Sequence, residues 1–155
     1  MKRSLRKRGW DYSESASYLV TICLDKKSDR FGNVKMGKMI LNSLGEIAEE
    51  RLLATPDFFP NVVIHSHVIM PDHVHAVISM HRVTDKHSSG TGKFKKQSGT
   101  LGSVIRSYKS AVTSRAKNIT SSFKWQDRYD DQILLNQTAI DNACRYVLEN
   151  PMNHR

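Results

Sequence analysis

The sequence has little cysteine and no long apolar run. Its 155 residues include two cysteines, Cys23 and Cys144, and no CxxC pair, which excludes a structural zinc site of the usual spacing. We interpret both as small buried hydrophobic side chains, not a disulfide. The longest apolar run, 62–70, is broken by polar residues and falls short of the roughly 18 residues that a membrane helix needs. The basic start Met1–Arg8 is followed by no apolar stretch, so we expect no signal peptide and a cytoplasmic protein.

Acidic residues are also scarce. The chain has 24 Lys and Arg against 15 Asp and Glu, a formal net charge of +9, and its pI is about 9.7. A small domain this basic most often binds a polyanion. No amphipathic basic helix with large apolar anchors is evident, so nucleic acid is favoured over an anionic membrane surface. The length predicts one domain over residues 1–155.

The basic residues are concentrated in three places. They are an N-terminal arm (1–10), a Ser-, Gly- and Lys-rich loop (81–100) that we expect to be flexible, and one face of the helix that follows it. A solvated arm that binds nothing is the alternative for the first. The predicted phosphate contacts are Lys2, Arg3, Arg6, Lys7, Arg8, Lys93, Lys95, Lys96, Arg106, Lys109 and Arg115. The rings that could stack on unpaired bases are those of Trp10, Trp125 and Tyr129, although each Trp could equally be a core residue.

Hydrophobic periodicity predicts a mixed fold. The predicted strands are 17–24, 31–34, 61–70, 73–80 and 131–136, and the predicted helices are 40–54, 101–119 and 138–150. Thr138 is the expected N-cap of the last helix and Pro151 its stop. This order is that of an α+β, ferredoxin-like βαββαβ sandwich with an antiparallel sheet and an appended C-terminal helix.

Four histidines form two i, i+2 pairs on the predicted strands, His65 with His67 and His73 with His75. Because residues i and i+2 of a strand point to one face, each pair can present two imidazoles side by side, which is a natural start for a divalent-metal site. Ordinary sheet histidines are the alternative. The second pair is the better candidate, since it follows a Pro-Asp turn and has apolar flanks.

The last helix offers two further groups. Tyr146 and Asn150 are four residues apart and therefore share one helix face. A tyrosine hydroxyl is a nucleophile when it is deprotonated, and an amide oxygen suits Mg²⁺ or Mn²⁺. Taken alone, each could be an ordinary helix residue.

Three segments together resemble a known family. MPDHVHAVISM (70–80) resembles the metal motif of the HUH endonucleases, and more narrowly the MP-x-HVH form of the single-tyrosine transposases of the insertion-sequence single-strand type, which include the REP-associated tyrosine transposases. LGSVIRSYKSAVT (101–113) resembles the helix that follows the metal strand in that family. WQDRYDDQILLN (125–136) and CRYVLENP (144–151) resemble its C-terminal strand and tyrosine helix. The resemblance runs from about residue 18 to residue 152.

The resemblance implies a metal-dependent single-stranded DNA endonuclease and strand transferase that forms a 5′-phosphotyrosine. In that reading Tyr146 is the nucleophile, and His73, His75 and Asn150 hold Mg²⁺ or Mn²⁺. Asp72 stands where the family usually has Asn. Since it is a turn residue in either case, we expect little effect, although its charge could strengthen the field at the metal. Tyr108 stands where many relatives have Phe, and we interpret it as a residue of helix packing and not as a second nucleophile. The implied partner is single-stranded or hairpin DNA, bound by a homodimer that is nucleoid-associated when on DNA.

Two other functions compete with this one. A domesticated, catalytically silent nucleic-acid-binding protein on the same scaffold would keep the charge but lose cleavage. A metalloenzyme acting on small molecules would leave the net charge of +9 unexplained.

Overall fold

The computed structural model describes residues 15–81 and 100–153. The predicted basic arm and all but the two ends of the predicted loop lie outside these ranges. Within them, no helix has the length and apolar character needed to span a membrane.

A four-stranded antiparallel sheet forms the centre of the molecule, in the order β4-β5-β1-β6. Its strands are β1 (Ala16–Cys23), β4 (Val62–Met70), β5 (His73–Met80) and β6 (Asp130–Leu134). The two central strands, β1 and β5, are the ones whose sequences are apolar on both faces. With the intervening helices, this order is that of a ferredoxin-like sandwich, which confirms the predicted fold class.

Helices cover both faces of the sheet. On one face lie α1 (Ser43–Leu53), the short α2 (Thr55–Phe58) and α3 (Leu101–Ala116), over the larger core. On the other face lies α4 (Gln137–Glu149), followed by a 3-10 turn (Asn150–Asn153). A smaller core under α4 joins the sheet residues Val77 and Leu134 to Ala143 and Val147 of the helix.

A hairpin of two short strands, β2 (Gly32–Lys35) and β3 (Lys38–Leu41), lies outside the main sheet. Its two central turn residues, Met36 and Gly37, have φ of 50° and 77°, as a type I′ turn requires. The prediction that a helix begins at residue 40 was therefore wrong. Ile40 has helical spacing to later apolar residues but pairs with β2, and the helix begins after its N-cap Asn42, whose side chain accepts from the Gly45 amide.

The last helix, in contrast, begins earlier than predicted. Asn136, not Thr138, is the N-cap, and its side chain accepts a 2.8 Å hydrogen bond from the Ala139 amide. The α-helix ends at Glu149, just before Pro151 as predicted, and Pro151 lies inside the 3-10 turn that follows. Both cysteines are free thiols, but they are partly exposed rather than buried as predicted.

Candidate metal and nucleophile site

The two histidines of the predicted metal motif converge at the start of β5. Their Nε2 atoms are 3.1 Å apart and their rings meet edge to face, with centroids 4.5 Å apart. The strand period places His73 and His75 on the sheet face covered by α4. The sequence-based prediction that this pair shares a face is confirmed.

The Nδ1 atom of His73 is hydrogen-bonded to a carboxylate. Its Nδ1–H donates to Asp72 Oδ1 over 2.8 Å, and the Arg30 guanidinium lies 3.3 Å from the second oxygen, Oδ2. Burial opposes ionisation of Asp72, but its hydrogen bonds and charge interactions with His73 and Arg30 outweigh burial and lower its pKa. An ionised acceptor therefore orients the His73 ring.

The Nδ1 atom of His75 is hydrogen-bonded to a hydroxyl group. Thr21, its register partner in β1, places Oγ1 3.0 Å from Nδ1. His75 is only 6% exposed, and burial, with a smaller contribution from the charge of His73, lowers its pKa to about 4. The ring is therefore neutral at pH 7. Because a hydroxyl both donates and accepts, Thr21 can support either neutral tautomer.

Tyr146 stands beside the pair. Its ring meets that of His75 at 67° with centroids 5.5 Å apart, yet the side chain is 51% exposed. The helix is held by the next residue, Val147, which is fully buried against the sheet. Asn150 lies one turn further on, as the partly buried C-cap of α4.

The histidine pair fits a divalent cation. Neighbouring ligands on an octahedral ion with bonds of 2.0–2.1 Å stand about 2.9 Å apart, close to the 3.1 Å between the Nε2 atoms. Within the described parts of the chain, no three His, Cys, Asp or Glu side chains are grouped to hold an ion. The predicted set differs from such a group because its third member, Asn150, is an amide.

The other histidine pair behaves differently from the prediction. A β-bulge between Ile64 and Ser66 shifts the register, so that His65 and His67 do not share a face. His65 Nε2 lies 2.7 Å from Ser79 Oγ, on the face of the metal motif, whereas His67 Nε2 lies 2.9 Å from Glu49 of α1, on the opposite face. These two imidazoles cannot bind one ion together.

Of the predicted DNA contacts, only those on α3 lie within the described residues: Arg106, Lys109 and Arg115. The Lys109 ammonium donates to the backbone carbonyls of Gln126 and Arg128, so two of its three donors act within the chain. Of the predicted stacking residues, Trp125 is 8% exposed and is a core residue. Tyr108 is buried as predicted, and its hydroxyl donates to the Ala48 carbonyl.

A solved structure shares this fold. A REP-associated tyrosine transposase bound to a REP hairpin superposes with a TM-score of 0.63 and 16% sequence identity, over 97% of this chain and 74% of that one. At that identity the likeness shows the fold, and the chain therefore has the fold of the tyrosine transposases. A second structure is that of a Deinococcus radiodurans R1 protein proposed to be a transposase. The superposition covers 98% of that protein and 97% of this chain at 17% identity, but its TM-score of 0.43 is too low to support a shared fold.

The chain also has a relative at the level of sequence. An uncharacterised protein of Haemophilus influenzae (strain KW20/Rd) is 31% identical over an alignment of 165 positions, which covers 97% of this chain and 88% of that protein. The chain belongs to the same family as that protein. No family model matches it.

Sequence reasoning missed two residues of the site. Thr21 lies 54 positions from His75, and Arg30 lies 42 positions from Asp72. Only the pairing of β1 with β5 and the path of the loop before β2 bring them together, so no local motif could have identified them.

Proposed function

We propose that this protein is a metal-dependent, tyrosine-type single-stranded DNA endonuclease and strand transferase, that is, a transposase. The observation that carries the proposal is the juxtaposition of two converging imidazole nitrogens with an exposed tyrosine on a helix docked beside them. The shared fold and the net charge of +9 agree with it.

His73, His75 and Asn150 are the residues that would hold Mg²⁺ or Mn²⁺. The chemistry that such an ion would supply is polarisation of the scissile phosphate as a Lewis acid. Since the His73 Nδ1–H is donated to Asp72, the 3.1 Å contact between the two Nε2 atoms has the His75 Nε2–H as its donor. Binding an ion requires the other His75 tautomer, with the proton on Nδ1, and Thr21 can then accept it.

Tyr146 would be the nucleophile. Its oxygen would form a bond to the 5′ phosphorus as the bond from phosphorus to the 3′ oxygen breaks. The tyrosine proton is lost, and one proton ends on the released 3′-hydroxyl. The bond count is conserved, so a 3′-hydroxyl from a second DNA end could reverse the reaction and join the strands without an external energy source. The partner in this proposal is single-stranded or hairpin DNA, and the homodimer stays a prediction.

The test is Tyr146→Phe, which keeps the ring against His75 and removes only the hydroxyl. We expect the variant to fold and to bind end-labelled single-stranded DNA like the parent, but to form no covalent adduct with Mn²⁺ on denaturing gels.

Tyr108→Phe is the control. It removes the hydroxyl that bonds the Ala48 carbonyl, which costs about 1 kcal/mol of stability, and should leave the adduct intact. An adduct that still forms with Tyr146→Phe would show that Tyr146 is not the nucleophile. DNA binding by the parent with no adduct under any metal condition would instead support the catalytically silent alternative.

A further inference from the structure

A concave surface lies along the outer side of α3 and is built from residues that the histidine site does not use. We call it the α3 groove. It encloses about 580 Å³ between α3 and the segment 126–129 that leads into β6. The lining residues that matter below are Arg106, Lys109, Ser110, Thr113, Arg128 and Tyr129.

The charged side chains that line the α3 groove are all cationic. Three cationic side chains and several hydroxyl groups line it, and no carboxylate is among its lining residues. Guanidinium groups with nearby hydroxyls are the donors that proteins direct at phosphate oxygens, while a tyrosine ring at the wall can lie against a base or sugar. Two acids, Asp127 and Asp130, flank the lining residues Arg128 and Tyr129 in sequence, and the charge of Asp127 acts on Lys109.

The walls of the α3 groove are fixed to each other. The Lys109 ammonium donates to the carbonyls of Gln126 (2.9 Å) and Arg128 (3.1 Å), and the Trp125 indole N–H donates to the Lys109 carbonyl (3.2 Å). The opposite side of α3 is buried in the core. A groove held this firmly loses little conformational entropy when a ligand enters.

Arg128 has an unusual backbone. Its φ is +70°, a left-handed conformation that costs a residue with a Cβ atom about 1–2 kcal/mol and that glycine adopts freely. Residues in strained backbone conformations cluster at active sites and ligand-binding sites. The positive φ of Arg128 thus adds to the case for a binding role of this side chain.

We propose that the α3 groove binds the sugar-phosphate backbone of the DNA strand, with the Arg106 and Arg128 guanidiniums on phosphate oxygens and Lys109 as the residue that positions the wall. This rests on the proposed function for the identity of the ligand, and it assigns a binding surface separate from the cleavage residues.

The experiment measures binding of fluorescent oligo(dT) to the full chain in EDTA, by anisotropy across a series of salt concentrations. Arg106→Gln and Arg128→Gly should each weaken binding about tenfold and reduce the log–log salt slope by about 0.7, the value for one lost phosphate contact on a single strand. Arg128→Gly also relieves the strained backbone, so its unfolding midpoint in urea should not fall. A weaker affinity without weaker folding is a result that a merely structural arginine would not give.

Lys35→Gln is the matched control, since it removes one exposed charge from β2 and should leave the affinity within twofold and the slope unchanged. The proposal is overturned if the groove variants bind like the parent, or if they lose affinity only for RNA of the same length.

Failure of the proposed function looks different. If the parent forms no adduct but its DNA binding still depends on Arg106 and Arg128, the α3 groove is a DNA-binding surface and the proposed enzymatic function is wrong.

Discussion

At the residue scale, the site depends on what lies behind the two imidazoles. The carboxylate of Asp72 binds Nδ1 of His73, and the hydroxyl of Thr21 binds Nδ1 of His75. These hydrogen bonds orient the two rings so that their Nε2 atoms converge. Groups that orient a metal-binding histidine in this way typically change metal affinity by 10- to 100-fold when they are removed. The orientation of the rings is therefore as open to test as the ligands themselves.

Asp72→Asn should weaken Mn²⁺ binding about tenfold, as measured by titration calorimetry. The amide keeps an oxygen that can accept from His73 Nδ1, but it loses the charge that pairs with Arg30. Asp57→Asn, which removes the same charge from exposed α2, is the control and should bind like the parent. Equal affinities for all three proteins would show that the carboxylate does not support the site.

The buried His75 predicts how the stability of the metal-free protein depends on pH. Its folded pKa, about 4, lies below the ordinary value of 6.5, so between these pH values the unfolded chain binds a proton that the folded chain does not. The free energy of unfolding should therefore fall as the pH is lowered from about 6.5 to about 4, by up to about 3 kcal/mol.

Urea unfolding in EDTA at several pH values measures this effect. His75→Gln has no imidazole to titrate, so its stability should change less over the same interval. If the variant and the parent lose stability in parallel, other groups account for the acid sensitivity.

At the scale of elements, α4 has two roles, carried by neighbouring sides of the helix. Ala143 and Val147 are buried on the sheet, while Tyr146 stays half exposed beside His75. A helix seated by its apolar face can thus present a reactive group without burying it. The β-bulge in β4 separates side chains that a regular strand would keep together, because it turns His65 and His67 to opposite faces of the sheet.

The N-cap of α4 offers a matched pair of substitutions. Asn136→Ala removes the side chain that accepts from the Ala139 amide and should lower stability by about 1 kcal/mol. Thr138→Ala lies inside the helix and should change stability by less than about 0.5 kcal/mol. Denaturant unfolding of both variants decides between the two positions, and a larger loss for Thr138→Ala would contradict the capping seen here.

At the scale of the whole molecule, charge and fold carry different information. The net charge of +9 is spread over the entire chain, including the segments outside the described residues. The fold is common to proteins of different function, so it supports DNA processing only together with the site it carries.

Binding of single-stranded DNA by the parent should weaken steeply with salt. Each neutralised phosphate contributes about −0.7 to the log–log slope, so several contacts would give a slope of several units. Anisotropy titrations at rising NaCl concentration measure it. Affinity that is flat between low and physiological salt would rule out nucleic acid as the partner.

Local sequence determined a great deal of this protein. The strand His73–Met80 was predicted with its true bounds, because a Pro-Asp turn precedes it and apolar residues fill it. The element order sufficed for the ferredoxin-like sandwich, since short connections leave few ways to pair these strands. The common face of His73 and His75 followed from the two-residue period of a strand.

Only the tertiary structure decided the remainder, because it depends on contacts between distant residues. Ile40 fits a helical pattern, yet pairing with β2 makes it part of a strand. His65 and His67 have the same spacing as the metal pair, and a single bulge separates them. Thr21, Arg30 and the α3 groove became visible only when strand register and loop path brought together residues that no local pattern connects.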